Sequence, residues 1–158
     1  MLGGVVPDMR VQTLRESIAE RHRNVGRGPT ATFEAMTGIA RFSLVAFDCP
    51  DPDALAEFYA KITGWEVTHP YEADWVQLKG DGGPTLAFQL APNHQAPTWP
   101  GDEHPQQAHV DFDVDDLDDG ESQVLAIGAR KADFQPSPNS FRVFLDPAGH
   151  PFCLVRAG

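Results

Sequence analysis

The sequence predicts an α+β fold made of two βαβββ modules. Two Asp-rich segments, 48–53 and 113–118, each close an apolar run and open a helix-like stretch, and they begin 65 residues apart. A repeat of this length with only two copies is not a solenoid, so it indicates two half-domains that bury their faces together. The chain has 158 residues, of which 41% are hydrophobic, which favours a single domain.

The first module is predicted over about residues 38–91. Its first strand is apolar on both sides, which favours burial on both faces. Asp51 or Asp53 can cap the helix that follows, and Gly64 ends that helix. The predicted strands are 41–48, 65–69, 75–79 and 85–90, and the inner stripe of the helix is Leu55, Phe58, Tyr59 and Ile62.

The second module repeats this order over about residues 107–158. The connector between the modules, about 92–106, is rich in Pro and polar residues and is predicted to run over the surface as a linker. A helix is predicted over 117–127, where Gly128 ends it. The predicted strands are 109–114, 130–134, 141–145 and 152–156.

Residues 1–37 differ from the rest and are predicted to be an extension outside the two-module domain, 38–158. Up to residue 35 the chain has five Arg and four acidic residues, whereas the remainder has seven Lys or Arg and 19 Asp or Glu. The repeat begins only after Met36, so a flexible extension and a misassigned start are both open explanations.

The net charge, the hydropathy pattern and the cysteines argue against nucleic-acid binding, membrane association and secretion. A net charge of −11 at pH 7 repels nucleic acid and anionic membranes at long range. No segment approaches 18 consecutive apolar residues, and no signal-peptide pattern is present, so neither a membrane span nor secretion is predicted. Cys49 and Cys153 form no C-x-x-C pair, which predicts a reduced, cytoplasmic protein.

Three segments, together with the repeated order of elements, resemble a known superfamily. They are Trp99-Pro100 through His104-Pro105-Gln106-Gln107, then His109-Val110-Asp111, and finally Asp146-Pro147-Ala148-Gly149-His150 through Leu154. In these features residues 38–157 resemble the vicinal-oxygen-chelate superfamily of glyoxalase I, extradiol dioxygenases and bleomycin-resistance proteins, and within it the glyoxalase-like domain subgroup. The resemblance implies a cupped sheet formed by both modules, a small-molecule site in the cup and a homodimer.

The resemblance also implies four inward metal-ligand positions, and this sequence does not fill them. The first-strand position of the second module is His109, but its equivalent in the first module is Leu44. The last-strand position holds Cys153, and its counterpart falls on Ala87, with Gln89 two residues further along the same face. The incomplete set predicts a cup without a cofactor; the alternative is a divalent Zn, Ni, Mn or Fe ion on His109, Gln89 and Cys153.

Strand alternation places His109 on the same face as two carboxylates, Asp111 and Asp113. If that face lines the cup, Asp111 can orient or charge the imidazole, giving a general base or an anchor for an amine. The competing explanation is a solvated sheet face, or a histidine satisfied by the backbone. We assign His109 and Asp111 as candidate catalytic residues. The candidate ligand contacts are Leu44, Asp48, Gln89, Trp99, Asp113 and Cys153.

Other polar residues are predicted to be structural. The acidic run 111–121 lacks the glycine and the terminal glutamate of an EF-hand loop, so helix capping explains it better than calcium binding. His94, His104 and His150 lie in turn-like segments without metal-ligand spacing and are predicted to be surface residues. Trp99, in the Pro-rich linker, either pins that linker or forms a lid.

Two functions from different classes remain. The first is a protein that binds a small molecule in a metal-free cup, in the manner of the bleomycin-resistance relatives. The second is a metal-dependent lyase, isomerase or dioxygenase that uses His109. Motifs for other chemistries, such as G-x-S-x-G, a Walker loop, a dinucleotide-binding glycine pattern and H-E-x-x-H, are absent from the sequence.

Overall fold

Each module folds as predicted into a four-stranded sheet with one helix. The structure is a computed structural model, and it describes residues 42–69, 74–80 and 83–157. The first module comprises β1 (Leu44–Cys49), α1 (Pro52–Thr63), β2 (Glu66–Thr68), β3 (Trp75–Lys79) and β4 (Thr85–Leu90). The second comprises β5 (Val110–Val114), α2 (Leu117–Ala126), β6 (Arg130–Lys131), β7 (Phe141–Leu145) and β8 (Pro151–Arg156). The predicted extension, residues 1–37, lies outside the described residues.

The two sheets have the same topology. Their strand orders are β1-β4-β3-β2 and β5-β8-β7-β6, so the first strand of each module is an edge strand. That strand runs parallel to the last strand of its module, and the remaining pairs are antiparallel. Among the described residues, no helix is long and apolar enough to cross a membrane.

Helix α1 begins and ends at the residues that the sequence predicts. The carboxylate of Asp51 accepts a hydrogen bond from the Ala54 N–H at 3.0 Å, which satisfies one of the free donors of the first turn. At the other end, Gly64 adopts a φ of 69°, and its N–H donates to the Ala60 carbonyl at 2.8 Å. Glycine is suited to this left-handed cap because it has no Cβ.

One hydrophobic core is shared by the two modules. The ring of Phe152 on β8 is fully buried, and its centroid lies 5.8 Å from Phe58 and 6.2 Å from Tyr59, both on α1. Phe112 and Phe144 of the second module complete this aromatic cluster at 6.2 Å and 5.6 Å. The helix of the first module therefore packs on the sheet of the second.

The prediction that β1 is buried on both faces is wrong. Phe47 and Cys49 are buried against the core, whereas Ala46 and Asp48, which point to the other side, are exposed. In the second sheet the same division holds, because Asp111 and Asp113 of β5 are exposed. The helices cover one face of each sheet, and these four side chains are exposed on the opposite face, which the resemblance implies is concave.

The remaining differences from the predicted elements are at their ends. The predicted strand 130–134 is shortened to Arg130–Lys131, and the Gln135 side chain then takes over pairing by donating to the Val143 carbonyl and accepting from its N–H. Helix α2 stops at Ala126, one residue earlier than predicted. The second strand contracts to Glu66–Thr68, the first strand runs over Leu44–Cys49 instead of 41–48, β5 begins at Val110 instead of residue 109, and the last strand begins one residue earlier, at Pro151.

The acidic run 111–121 contributes to structure, in keeping with helix capping. Asp116 caps α2, since its carboxylate accepts from the N–H groups of Asp118 and Asp119 at 2.8 and 3.0 Å, and these bonds lower its pKa. Arg142 on β7 donates to Asp118 at 2.6 Å and to Glu121 at 2.7 Å. The run thus fastens α2 to its own sheet.

Candidate functional site

The second sheet brings three of the predicted site residues together on its concave face. A ring nitrogen of His109, a carboxylate oxygen of Asp111 and the sulfur of Cys153 all lie within 4.8 Å of one another. The register of β5 and β8 explains the contact, because Asp111 is directly opposite Cys153. We call these three residues the concave cluster.

The other predicted contacts lie elsewhere. Gln89 and Leu44 are on the first sheet, where Gln89 is opposite Asp48 and Leu44 is opposite Thr85. Among the His, Cys, Asp and Glu side chains of the described residues, the group that could hold a metal ion is His109, Asp111 and Cys153, and the predicted set of His109, Gln89 and Cys153 stays a prediction. Asp113 is on β5, two residues beyond Asp111 and exposed.

Electrostatics distinguish the members of the concave cluster. Burial, followed by the hydrogen bond and the charge of Asp111, raises the pKa of the Cys153 thiol to about 12. His109 Nε2 lies 3.5 Å from the Asp111 carboxylate, and both side chains are about half exposed. Without a cation nearby, the sulfur is therefore a neutral thiol and a poor nucleophile.

Gln106 adjoins this cluster from the linker. Its amide nitrogen lies 3.5 Å from His109 Nδ1, and its amide oxygen is buried without a hydrogen-bond partner in the part of the chain that the structure describes. Exchange of the two amide atoms by rotation would let the oxygen accept from Nδ1–H. This arrangement would leave His109 Nε2 free to face Asp111 and Cys153.

Trp99 pins the linker to the second sheet. It packs on the buried group formed by Ala132, Val143 and Cys153, and its ring lies 5.9 Å from that of Phe134. The peptide bond between Trp99 and Pro100 is cis. Trp99 therefore covers the concave face next to Cys153, which places this predicted ligand contact beside the cluster.

A separate cavity of about 470 Å³ lies where the first sheet meets the linker. We call it the junction pocket. Its walls are the edge strand β1 at 45–48, linker residues between 94 and 108, and His150. Of the predicted ligand contacts, Asp48 lines this pocket.

His150 is buried, which corrects its prediction as a surface residue. It is 9% exposed, and it contacts Asp146 through Nδ1 at 2.9 Å and the Asp48 carbonyl through Nε2 at 3.0 Å. His94 is half-buried and contacts the Ala148 carbonyl at 3.0 Å. In the sequence this site is visible only as Asp146 and His150, four residues apart in a turn that contains Pro and Gly. Their partners, the Tyr59 hydroxyl and the Asp48 carbonyl, lie on distant elements.

Comparison with known proteins identifies a family for the described fold. The sequence model of the Glyoxalase-like domain family matches residues 44–155, which is most of the chain. The chain belongs to the glyoxalase-like domain family. Its predicted membership of the vicinal-oxygen-chelate superfamily is confirmed, as is its predicted α+β fold. A search of curated proteins found no match.

Solved structures with the same fold include proteins of different activities. A glyoxalase/bleomycin resistance protein/dioxygenase family enzyme from Burkholderia phytofirmans PsJN is 19% identical, with a TM-score of 0.57 over 74% of this chain and 98% of that one. The fosfomycin resistance protein FosX from Listeria monocytogenes is 16% identical, with a TM-score of 0.58 over 77% and 96%. A bleomycin-binding protein complexed with bleomycin is 18% identical, with a TM-score of 0.50 over 75% and 100%.

This glyoxalase-like domain therefore presents two candidate sites. The concave cluster offers imidazole, carboxylate and thiol groups from one module. The junction pocket has the volume of a ligand site and is bordered by the edge of the other module and by the linker. The two sites share no residue.

Proposed function

We propose that this domain binds a small organic molecule in the junction pocket. The observation that carries the proposal is a cavity of about 470 Å³ at the meeting point of β1, the linker and the β7–β8 turn. Small-molecule sites commonly measure about 300–1,000 Å³ and combine apolar walls with a few polar groups. The pocket fits that description, since Phe47 and Pro97 stand beside Asp48 and His150. The similar bleomycin-binding protein supports binding as a use of this fold.

The proposal is tested by a thermal-shift screen of small organic compounds, followed by affinity measurements on two variants. Ala46 is exposed and lines the pocket, so Ala46→Trp should fill it and raise the Kd of each hit by at least about tenfold. Ala126 is exposed at the end of α2 and is absent from the pocket walls, so Ala126→Trp is the matched control and should leave Kd unchanged. Equal affinities in both variants would refute binding at this place.

A metal-dependent lyase, isomerase or dioxygenase is the second candidate, favoured by the concave cluster. Catalytic zinc sites use three protein ligands and keep a fourth position open, and His109, Asp111 and Cys153 supply three ligand atoms within 4.8 Å. A cation would offset the burial and the Asp111 charge that hold the Cys153 thiol neutral. The sulfur and nitrogen ligands favour Zn over Mn.

In this second proposal each residue of the cluster has a separate role. His109 Nε2, the Asp111 carboxylate and the Cys153 sulfur would hold the ion, and Gln106 would fix the imidazole through Nδ1. When bound, the ion would act as a Lewis acid toward a substrate oxygen. If no metal binds, His109 with Asp111 is the proposed acid–base pair. Trp99, Asp113, Leu44 and Gln89 are the proposed contacts along the concave face.

We also propose that the protein is a homodimer located in the cytoplasm. The resemblance supports dimerisation, and the two buried, unpaired cysteines, Cys49 and Cys153, are consistent with a reducing compartment. Sedimentation of the full chain should report a dimer, and a strict monomer at high concentration would contradict this part.

A further inference from the structure

The junction pocket lies along the outer edge of β1. Its wall includes four consecutive residues of that strand, 45–48. Successive side chains of a strand point to opposite faces, so a pocket over one face would be lined by every second residue. Here Phe47, which is buried on the core side, and Ala46, which is exposed on the other side, both line the pocket. The wall is therefore the edge of β1 that faces away from β4.

Two contacts show which backbone groups of β1 point away from β4. The Cys49 carbonyl accepts from the Ala91 N–H at 2.8 Å, just beyond the end of β4, so Cys49 is bonded toward β4. In a parallel pair, residues bonded to the neighbouring strand alternate with residues whose N–H and C=O both point the opposite way. The residue before it, Asp48, fits this alternation, because its carbonyl contacts His150 Nε2 at 3.0 Å in the second module.

The same alternation directs both backbone groups of Ala46 outward, into the junction pocket. Ala46 is two residues before Asp48 and therefore has the same orientation. Among the residues that the structure describes, no backbone hydrogen bond joins linker positions 92–108 to β1. The linker is bonded to itself instead, through the Thr98 N–H and the His104 carbonyl at 2.7 Å. The pocket thus contains a backbone donor and a backbone acceptor of one residue, side by side.

The chemical complement of such an edge is the backbone of an extended peptide. A peptide that adds to an exposed strand edge matches each free N–H with a carbonyl and each free carbonyl with an N–H. The free edge is short here, because the Asp48 carbonyl is already in contact with His150. A cavity of about 470 Å³ likewise has the size of a small ligand. Both features favour a ligand with one or two amino acid residues over a long strand.

We propose that the junction pocket binds an N-acylated amino acid amide or a dipeptide as a short added strand on the N–H and C=O of Ala46. The ligand class rests on the proposed function, because it concerns the same pocket. In antiparallel pairing, the N–H and C=O of one ligand residue bond to Ala46, and in parallel pairing the two amide groups on either side of that residue do so. In both cases only one of the two amide nitrogens of a blocked amino acid faces β1.

Three matched probes test this pairing by calorimetric titration of the full chain. The parent probe is the tightest binder among the N-acetyl N′-methylamides of leucine, phenylalanine, lysine and glutamate. Each of the other two probes has one extra methyl group, on one or the other amide nitrogen of the parent. Methylation of the nitrogen that faces β1 removes a donor and should raise Kd by at least about tenfold, whereas methylation of the other should change Kd by less than about threefold. The sensitive nitrogen identifies the strand direction.

Amide hydrogen exchange gives a measurement that needs no variant. In the free protein the Ala46 N–H should exchange faster than the N–H of Phe47, which points toward β4. Saturation with the parent probe should slow exchange at Ala46 by at least about tenfold and leave exchange at Phe47 unchanged.

Replacing Ala46 with proline removes the donor on the protein side. An edge strand tolerates proline where the N–H faces outward, so Ala46→Pro should remain folded. Ala46→Val is the matched comparison, because valine is similar in size to proline and keeps the N–H. Ala46→Pro should bind the parent probe at least about tenfold more weakly than Ala46→Val does.

Equal affinity of the three probes, or loss of affinity with both methylated probes, would overturn the peptide-like ligand class. Unchanged exchange at Ala46 on binding, or equal affinity of folded Ala46→Pro and Ala46→Val, would also overturn it. If compounds without a secondary amide bind the pocket and the blocked amino acids do not, this ligand class is wrong and the proposed function stands. If nothing binds the pocket, both are wrong.

Discussion

Replacing Phe152 with alanine is expected to lower the free energy of unfolding by about 4 kcal/mol. The ring is fully buried and touches aromatic rings of both modules, so its removal leaves a cavity at their shared core. Urea denaturation followed by tryptophan fluorescence measures the change. Phe42→Ala is the matched control, because that ring is 73% exposed, and the change should stay within about 0.5 kcal/mol.

A double-mutant cycle locates the effect between the modules. Phe58 on α1 and Phe152 on β8 meet edge to face at 5.8 Å, which predicts a coupling energy of about 0.5–1.5 kcal/mol between Phe58→Ala and Phe152→Ala. A Phe152→Ala loss below about 1.5 kcal/mol, or strictly additive variants, would contradict the shared core.

The second large effect concerns the concave cluster. If His109, Asp111 and Cys153 hold a zinc ion, His109→Ala should weaken zinc binding by more than about 100-fold, because loss of a ligand exceeds the effect of losing an outer-shell partner. Competition with a chromophoric chelator measures the affinity, and His69→Ala should leave it unchanged.

Cobalt substitution identifies the sulfur ligand. Wild-type protein loaded with Co²⁺ should show a thiolate-to-cobalt charge-transfer band, and Cys153→Ser should remove it, while buried Cys49 stays uninvolved. A chain that binds neither metal with measurable affinity, or a band that survives in Cys153→Ser, would contradict this site.

The sequence predicted the fold because local signals and the repeat agreed. Asp51 and Gly64 cap the two ends of α1, and such caps depend only on residues close by in the sequence. Strands β3, β4 and β7 begin and end at the predicted residues. Burial of β1 was mispredicted because alternation reports which residues share a face and does not report what covers that face. Ala46 and Asp48 are exposed and are not covered by a second layer.

The candidate sites were predicted only in part. Strand alternation predicted that His109 and Asp111 share a face, and the resemblance put Cys153 at a ligand position; the structure brings the three within 4.8 Å of one another. The contacts of His150 could not be predicted, because one of its two partners, the Asp48 carbonyl, is 102 residues away in the chain. Every residue has a backbone carbonyl, so the sequence does not indicate which one His150 contacts, and the contact is seen only in the folded structure.

Amide NMR mapping of the full chain with the tightest compound from the screen tests whether the ligand occupies the junction pocket. We predict that the largest shift changes fall on 45–48, 94–97, 104–108 and His150. Changes concentrated on His109, Asp111 and Cys153, with 45–48 and His150 unmoved, would contradict the account.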